Sequence, residues 1–365
     1  MKREFWRHFD YWLFGSVIIL CIFGIAMIRS AIAGNEVLAS LVQRQAIYVA
    51  LGLVVIFGAS LVDYHYWLSL TRTMYIAAVI LLVVIFVYGT ARYGSARWLD
   101  TGLVLIQPSE IAKIVMILVL AGYFAKNQDK PHNVRWIGES FALTFGVVIW
   151  ILLQPNLSTS IVIFVMWFAM LWLSGLPVKY LLIFGGGAII GGAVLFPFLA
   201  GYQQKRVMDF IFPDPNAQAG NSYNVDQALV TIGSGGLFGE GYGHSTQVQL
   251  RFLKVRHTDF IFSAMAAEFG FVGTIIVVGL LIFVVLRCLR AARLAADMFG
   301  SLICYGFAAL IFFQMAVNIG VNLNVIPVTG LPLPFISYGG SSLLSMVLGI
   351  GLVESVISRH KSLEF

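Results

Sequence analysis

Residues 251–286 read RFLKVRHTDFIFSAMAAEFGFVGTIIVVGLLIFVVL. Arg251, Lys254, Arg256, His257 and Asp259 crowd together, and from Phe260 the chain runs apolar to Leu286 with Glu268 as its one charge. A helix needs about 20 mostly apolar residues to cross roughly 30 Å of hydrocarbon, so this stretch reads as a membrane span with a charged collar at its mouth. Only 11% of the chain is charged, which makes the collar conspicuous. It has two readings: basic residues that anchor a span at the membrane surface, or the rim of an active site in which Asp259 is the working group.

The rest of the chain repeats the apolar pattern. It has 365 residues, 59% of them hydrophobic, with mean hydropathy +0.90. Soluble domains carry roughly 25% charged residues, so this is a multi-span membrane protein. Its blocks do not alternate polar with apolar residues, which excludes a strand barrel. The expected class is an all-α polytopic membrane protein, a single integral domain over 1–365. Ten transmembrane helices are expected near 12–32, 45–62, 73–90, 109–125, 138–153, 158–174, 178–199, 260–286, 299–322 and 341–358. Lys2, Arg3 and Arg7 ahead of Leu13–Ile28, with Ala31-Ile32-Ala33 after it, imitate a secretory signal. The length of the run and the many spans behind it favour an uncleaved first helix.

Lys and Arg set the orientation. With the N-terminus inside, short inner connections hold Arg72, Lys126, Lys130, Arg135, Arg287, Arg290 and Arg293 among others, while short outer ones hold only Arg29, Arg44, Arg92 and Arg97. Both termini are then cytoplasmic. The long outer loop between the seventh and eighth spans, about 200–259, breaks the bias with Lys205, Arg206, Arg251, Lys254 and Arg256. An anionic ligand and anionic lipid head groups are equal explanations. The net charge of +6 is accounted for by this topology and implies no nucleic acid. Cys21, Cys288 and Cys304 lie in or beside apolar blocks without CxxC spacing and read as packing residues.

Several polar features interrupt the apolar pattern. Glu110 and Lys113, in Gln107-Pro108-Ser109-Glu110-Ile111-Ala112-Lys113, stand at i and i+3 on one helix face. They suit either a self-contained ion pair or the lining of a hydrated cavity. Ile232-Gly233-Ser234-Gly235-Gly236 through Gly243 fits no nucleotide-binding fingerprint and reads first as close packing. Gly187 and Gly191 match GxxxG, a close helix contact. Pro327–Ser342 cannot be a regular helix, because its prolines remove backbone donors. With Asn318, Asn322 and Asn324 before it, this segment reads as a cavity wall.

Taken in order, these pieces resemble the SEDS family of bacterial cell-wall proteins, which includes RodA, FtsW and SpoVE. The resemblance rests on Arg97-Trp98-Leu99, Gln107–Lys113, Ile232–Gly236, His257–Phe262, Leu331–Phe335 and Ser337–Ser342, and it covers the whole chain. Thr246-Gln247 and Phe252-Leu253 look more like the RodA, or elongation, branch. The resemblance implies a peptidoglycan glycosyltransferase that polymerises lipid II on the outer face of the cytoplasmic membrane, in cell elongation and shape. It implies a class B penicillin-binding protein as the transpeptidase partner. The family's critical aspartate matches Asp259; Trp98, Glu110, Lys113, Lys205, Arg206, Arg256, His257, Ser337 and Ser341 are the expected substrate-binding set. Asp259 and Glu110 are the candidates to ligate a divalent cation such as Mg or Mn. Departures from the family occur at Asn156, where an acid commonly follows Gln-Pro, at Lys254-Val255, and at Ala267-Glu268.

The expected reaction joins a sugar hydroxyl to an anomeric carbon bearing a polyprenyl diphosphate. A carboxylate within reach removes the hydroxyl proton, and cations receive the charge that develops on the diphosphate. His257 is a rival base. A lipid II flippase would show the same intramembrane Glu and Lys but needs access from both faces. A noncatalytic scaffold would tolerate loss of Asp259 and Glu110.

Overall fold

A computed structural model of the chain describes residues 8–35, 38–88, 90–92, 95–100, 105–129, 134–177, 180, 183, 186, 187, 191, 194, 196–214 and 220–359. Its helices are α1 (Tyr11–Ala31), α2 (Ser40–Leu61), α3 (Tyr64–Tyr88), α4 (Pro108–Lys126), α5 (Val134–Leu153), α6 (Leu157–Leu173), α7 (Gly201–Ile211), α8 (Asn221–Ser234), α9 (Thr246–Gln249), α10 (Ile261–Leu294), α11 (Met298–Asn322) and α12 (Gly340–Ile357). Among the described residues, eight helices, α1–α5 and α10–α12, are long and apolar enough to span a membrane; α6, at 17 residues, falls just short. The expected span over 178–199 lies mostly outside the described residues. Of the GxxxG pair there, neither Gly187 nor Gly191 has a described atom within 4 Å of where a Cβ would sit, so the expected close contact is not formed among them.

The helix ends follow local chemistry. The Asp10 carboxylate accepts from the Leu13 N–H at 3.1 Å to start α1, and Asp297 accepts from the Gly300 N–H at 2.7 Å to start α11. Asn156 caps α6 through Thr159, and Pro108 opens α4, where a missing N–H costs nothing. Burial then sorts the helices. In α4, 83% of the spanning window is covered by protein, against 22% in α3. Helix α4 is therefore the core of the bundle, packed by α3, α5, α6, α11 and α12, whereas α3 lies at the periphery.

Two features depart from the sequence expectation. The segment between α3 and α4 is not bare loop. Thr90–Arg92, Ser95–Asp100 and Leu105–Ile106 (β1–β3) form a small antiparallel sheet in the order β1-β2-β3, so the all-α class carries one short sheet. And α10 is not one rod. Gly270 takes φ 66°, ψ −169°, a conformation open essentially to glycine alone. It divides the helix into an entrance half, residues 261–269, and a longer half from 271 onward.

The glycine-rich stretch explains how that break is tolerated. At the break the carbonyls of Ala267 and Glu268 accept from the N–H groups of Glu240 and Gly241, at 2.9 and 3.0 Å. The N–H groups of Phe271 and Val272 donate to the carbonyls of Gly236 and Leu237, at 2.9 and 3.1 Å. Four backbone groups that would otherwise be stranded in an apolar setting are thereby paired. A side chain on Gly235 would overlap the Ala266 carbonyl, and one on Gly239 the Glu268 carbonyl. The glycines are there because two backbones touch.

Candidate active site

Asp259 lies immediately before α10, and each carbonyl leading up to it has a partner. The His257 carbonyl accepts from the Tyr338 N–H at 3.0 Å. The Thr258 carbonyl accepts from the Ser337 hydroxyl at 2.8 Å. The Asp259 carbonyl accepts from the side-chain amides of Asn318 and Asn322, at 3.0 and 2.9 Å. The irregular segment 327–338 and the end of α11 thus hold the residue from two sides. The carboxylate itself looks toward Gly330, whose φ is 78°; a Cβ there would stand 3.7 Å from Oδ2.

Asp259 keeps part of its surface accessible, yet the surrounding protein strips enough water from it to push its pKa above the ordinary carboxylate value. The positive charge of Arg206 and a hydrogen bond from Thr258 oppose that rise. His257 is shifted down, by burial first and then by the charge of Arg256, so it is kept neutral near pH 7.

The cations of the 251–256 cluster divide into groups with different work. Arg256 is buried and donates to the carbonyls of Ala31 and Leu253, the second at 3.0 Å. Arg251 donates to the Gly34 carbonyl. Both therefore close off the C-terminal end of α1, a favourable place for positive charge, and neither guanidinium is turned over to Asp259. Lys254 lies over the Tyr223 ring at 5.2 Å, and Lys205 is exposed. Among the described residues, Arg206 is the cation acting on Asp259, and it is steadied by donating to the Thr329 carbonyl at 3.1 Å, which also accepts from Ser158 at 2.5 Å.

Glu110 and Lys113 form the i, i+3 pair at 2.8 Å, with the lysine side chain fully buried. The contact is close without hydrogen-bond geometry, which leaves the ammonium donors without a well-aligned acceptor. Three serines four residues apart tie this pair to the Asp259 loop. Ser337 donates to Thr258, Ser341 donates to the Leu105 carbonyl at 2.7 Å and accepts from the Gln107 N–H at 3.0 Å, and Ser345 lies 3.3 Å from Glu110. Ser337 also accepts from the Leu333 N–H at 2.8 Å. The hydroxyls of Ser337 and Ser341 are thus engaged with backbone. The spacing of four was visible in the sequence, but Ser345 was not singled out there. Asn156 donates to Ser109 at 3.3 Å, beside Glu110. Trp98 sits half-buried on β2.

The donor set bears on the divalent cation. Among the described residues no three His, Cys, Asp or Glu side chains gather as metal ligands, and Glu110 is already paired with Lys113. The described residues alone therefore do not build a resident metal cage. Magnesium commonly binds through one or two carboxylates together with substrate phosphates, so a cation at Asp259 would need ligands from a bound substrate to complete it.

The family of cell cycle proteins comprising FtsW, RodA and SpoVE matches residues 9–362. The peptidoglycan glycosyltransferase MrdB of Escherichia coli (strain K12) is 35% identical over 370 residues, covering 99% of this chain and 97% of that protein. Among solved structures, a chain of a peptidoglycan synthase complex superposes with TM-score 0.83 at 31% identity, covering 96% of this chain and 97% of that one. The rod shape determining protein RodA of Thermus thermophilus gives TM-score 0.73 at 31% identity, with 97% and 98% covered.

Proposed function

The chain belongs to the FtsW/RodA/SpoVE family of cell cycle proteins, is RodA-like within it, and on that premise we propose that it polymerises lipid II into glycan strands with Asp259 as the general base. It is a peptidoglycan glycosyltransferase of the membrane. The observation that carries the assignment of Asp259 is its setting: a part-accessible, desolvated carboxylate held by its own backbone, with Arg206 as its cation.

In the proposed step, the 4-hydroxyl oxygen of one GlcNAc attacks the anomeric carbon of a MurNAc on a second lipid-linked chain. The hydroxyl proton passes to the Asp259 carboxylate, and the bond from the anomeric carbon to the phosphate oxygen breaks. The electron pair leaves with the polyprenyl diphosphate. Desolvation raises the basicity of Asp259, the direction a general base requires. Diphosphate departs without an acid but needs positive charge where its own charge develops; Arg206, Lys205, Lys254 and Lys113 are the candidates. Trp98, Glu110, Arg256, His257, Ser337 and Ser341 complete the proposed substrate-binding surroundings, Arg256, Ser337 and Ser341 through the backbone they hold. A divalent cation is proposed to enter with the diphosphate.

Ten spans are proposed, with 178–199 as the seventh and 200–259 as the long loop after it, in one integral domain. Both termini are proposed to be cytoplasmic and the Asp259 end extracytoplasmic, supported by the Lys and Arg bias. A class B penicillin-binding protein is the proposed partner, supported by the likeness to a chain of a synthase complex described as coordinating polymerization and crosslinking.

The test is direct. Purified protein, with and without a class B partner and a divalent cation, is given lipid II, and glycan strands are resolved on gels. Asp259→Ala should lose polymerisation by about 10²-fold or more while inserting normally. Strand synthesis by that variant at the wild-type rate would overturn the assignment. Scrambling of labelled lipid II across liposomes without polymer would favour a flippase instead.

A further inference from the structure

We infer that Asn318 and Asn322 of α11 are positioning residues for this reaction: their side-chain amides clamp the Asp259 carbonyl and so fix where its carboxylate points. This rests on the reading of Asp259 as the base.

Both amides are buried, with residue exposures of 1% and 0%, and their orientations are forced. The Asn322 Nδ2 donates to the Asp259 carbonyl at 2.9 Å and to the Asn318 carbonyl at 2.8 Å, while its Oδ1 accepts from the Ser263 N–H at 3.1 Å and the Ser263 hydroxyl at 2.6 Å. The Asn318 Nδ2 donates to the carbonyls of Asp259 and Leu331 at 3.0 and 2.8 Å. Turning either amide over would set oxygen against two carbonyl oxygens, so the donor and acceptor assignments follow from the partners themselves.

The placement of these bonds separates them from ordinary helix packing. Asn322 grips α10 on both sides of Phe260, through the Asp259 carbonyl and through Ser263. Asn318 joins the Asp259 carbonyl to Leu331, the residue after Gly330, which faces the carboxylate. The backbone of Asp259 and the segment opposite its side chain are thus tied to one rigid helix. A general base works only within hydrogen-bond reach of its proton, and an error of about 1 Å can cost roughly 10²-fold in rate. The two asparagines make no contact with the carboxylate and act through the backbone, so their loss should leave substrate affinity alone.

The experiment compares wild type, Asn322→Ala, Asn318→Ala and Asp259→Ala as full-length proteins in lipid nanodiscs, with lipid II as the varied substrate. Both asparagine variants should lower kcat by about 10- to 100-fold, with KM for lipid II within about threefold of wild type. The acidic limb of the kcat profile should also shift in pH, because the setting of Asp259 changes. Unchanged kcat in both variants, with Asp259→Ala inactive, would overturn the positioning role. So would a loss confined to protein yield or thermal midpoint, with kcat per folded molecule intact. Failure of both variants to accumulate would assign the asparagines to folding and likewise overturn it. An active Asp259→Ala would remove the base assignment instead, an outcome the same assay keeps separate.

Discussion

Replacing Gly270 by alanine tests whether the break in α10 is built into the fold. Gly270 has φ 66° and ψ −169°, and holding an L-residue in such a region costs about 1–3 kcal/mol. The added Cβ would also meet the Gly239 nitrogen and approach within 2.6 Å of the Leu237 carbonyl carbon. These are backbone atoms that cannot rotate away, and overpacking of this kind costs about 1–3 kcal/mol more. Gly279, on the same helix beyond the break, has nothing within 4 Å of its would-be Cβ; there alanine should gain about 0.5–1 kcal/mol, as in any helix interior. The two substitutions therefore have opposite signs at identical chemistry. Heat-induced unfolding of the purified proteins, followed by tryptophan fluorescence, should show a lowered midpoint for Gly270→Ala and an equal or raised one for Gly279→Ala. Polymerisation should fall further in Gly270→Ala than its stability loss explains, since residues 261–269 carry the direction of Asp259. A Gly270→Ala protein with wild-type midpoint and rate would refute the reasoning.

Three further outcomes are expected. Because burial raises the pKa of Asp259 and Arg206 restrains it, kcat/KM should fall as pH drops through that raised value. Arg206→Gln should move the limb to higher pH, whereas a limb that stays put would show that Arg206 does not act on the base. Glu110→Gln leaves Lys113 buried without its counter-charge, at a cost of about 3–5 kcal/mol; adding Lys113→Met should restore the thermal midpoint without restoring polymerisation. Asp297 is held below the ordinary carboxylate range, against the opposing effect of its burial, by hydrogen bonds from Tyr64 and the Gly300 N–H and by the charge of His65. A depressed carboxylate adds stability that is present above its unfolded pKa of about 3.9 and is lost as pH falls through the folded value. Asp297→Asn should therefore flatten the loss of thermal midpoint below about pH 4.

How much of this was legible in the sequence depended on how local the cause was. Eight of the ten expected spans were readable, because twenty apolar residues in a row are their own explanation. So was the Glu110–Lys113 pair, since i and i+3 share a helix face. The break in α10 was not, because nothing within residues 261–286 demands it. Gly270 can bend only because Gly236, Leu237, Glu240 and Gly241, far back in the chain, pair the four backbone groups it strands. The partners of the arginine cluster were hidden for a similar reason. Adjacent in sequence to Asp259, Arg251 and Arg256 reach instead to the end of α1, whereas Arg206, far upstream, supplies the charge. Asn318 and Asn322 were visible as polar residues of a cavity wall, but their grip on one particular carbonyl was not. The short sheet at 90–106 gave no readable alternation.

The collar at the mouth of α10 is therefore a different object from a pool of positive charge around a carboxylate. Two of its three cations complete the end of a neighbouring helix, and what remains near Asp259 is a balance. Removal of water raises its pKa, and Arg206 with the Thr258 hydrogen bond lowers it. Neither extreme would serve. A fully solvated carboxylate is too weak a base for a sugar hydroxyl, and one buried without a cation stays protonated. Holding the balance requires that the distances not drift. The clasp on the carbonyls of His257, Thr258 and Asp259 supplies that constraint from the segment that also carries Gly330 and from the end of α11. The charge that tunes the proposed base and the backbone that holds it come from separate parts of the chain, so Arg206 and Asn322 should be separable by kinetics: the first through pH dependence with the carboxylate still in place, the second through turnover.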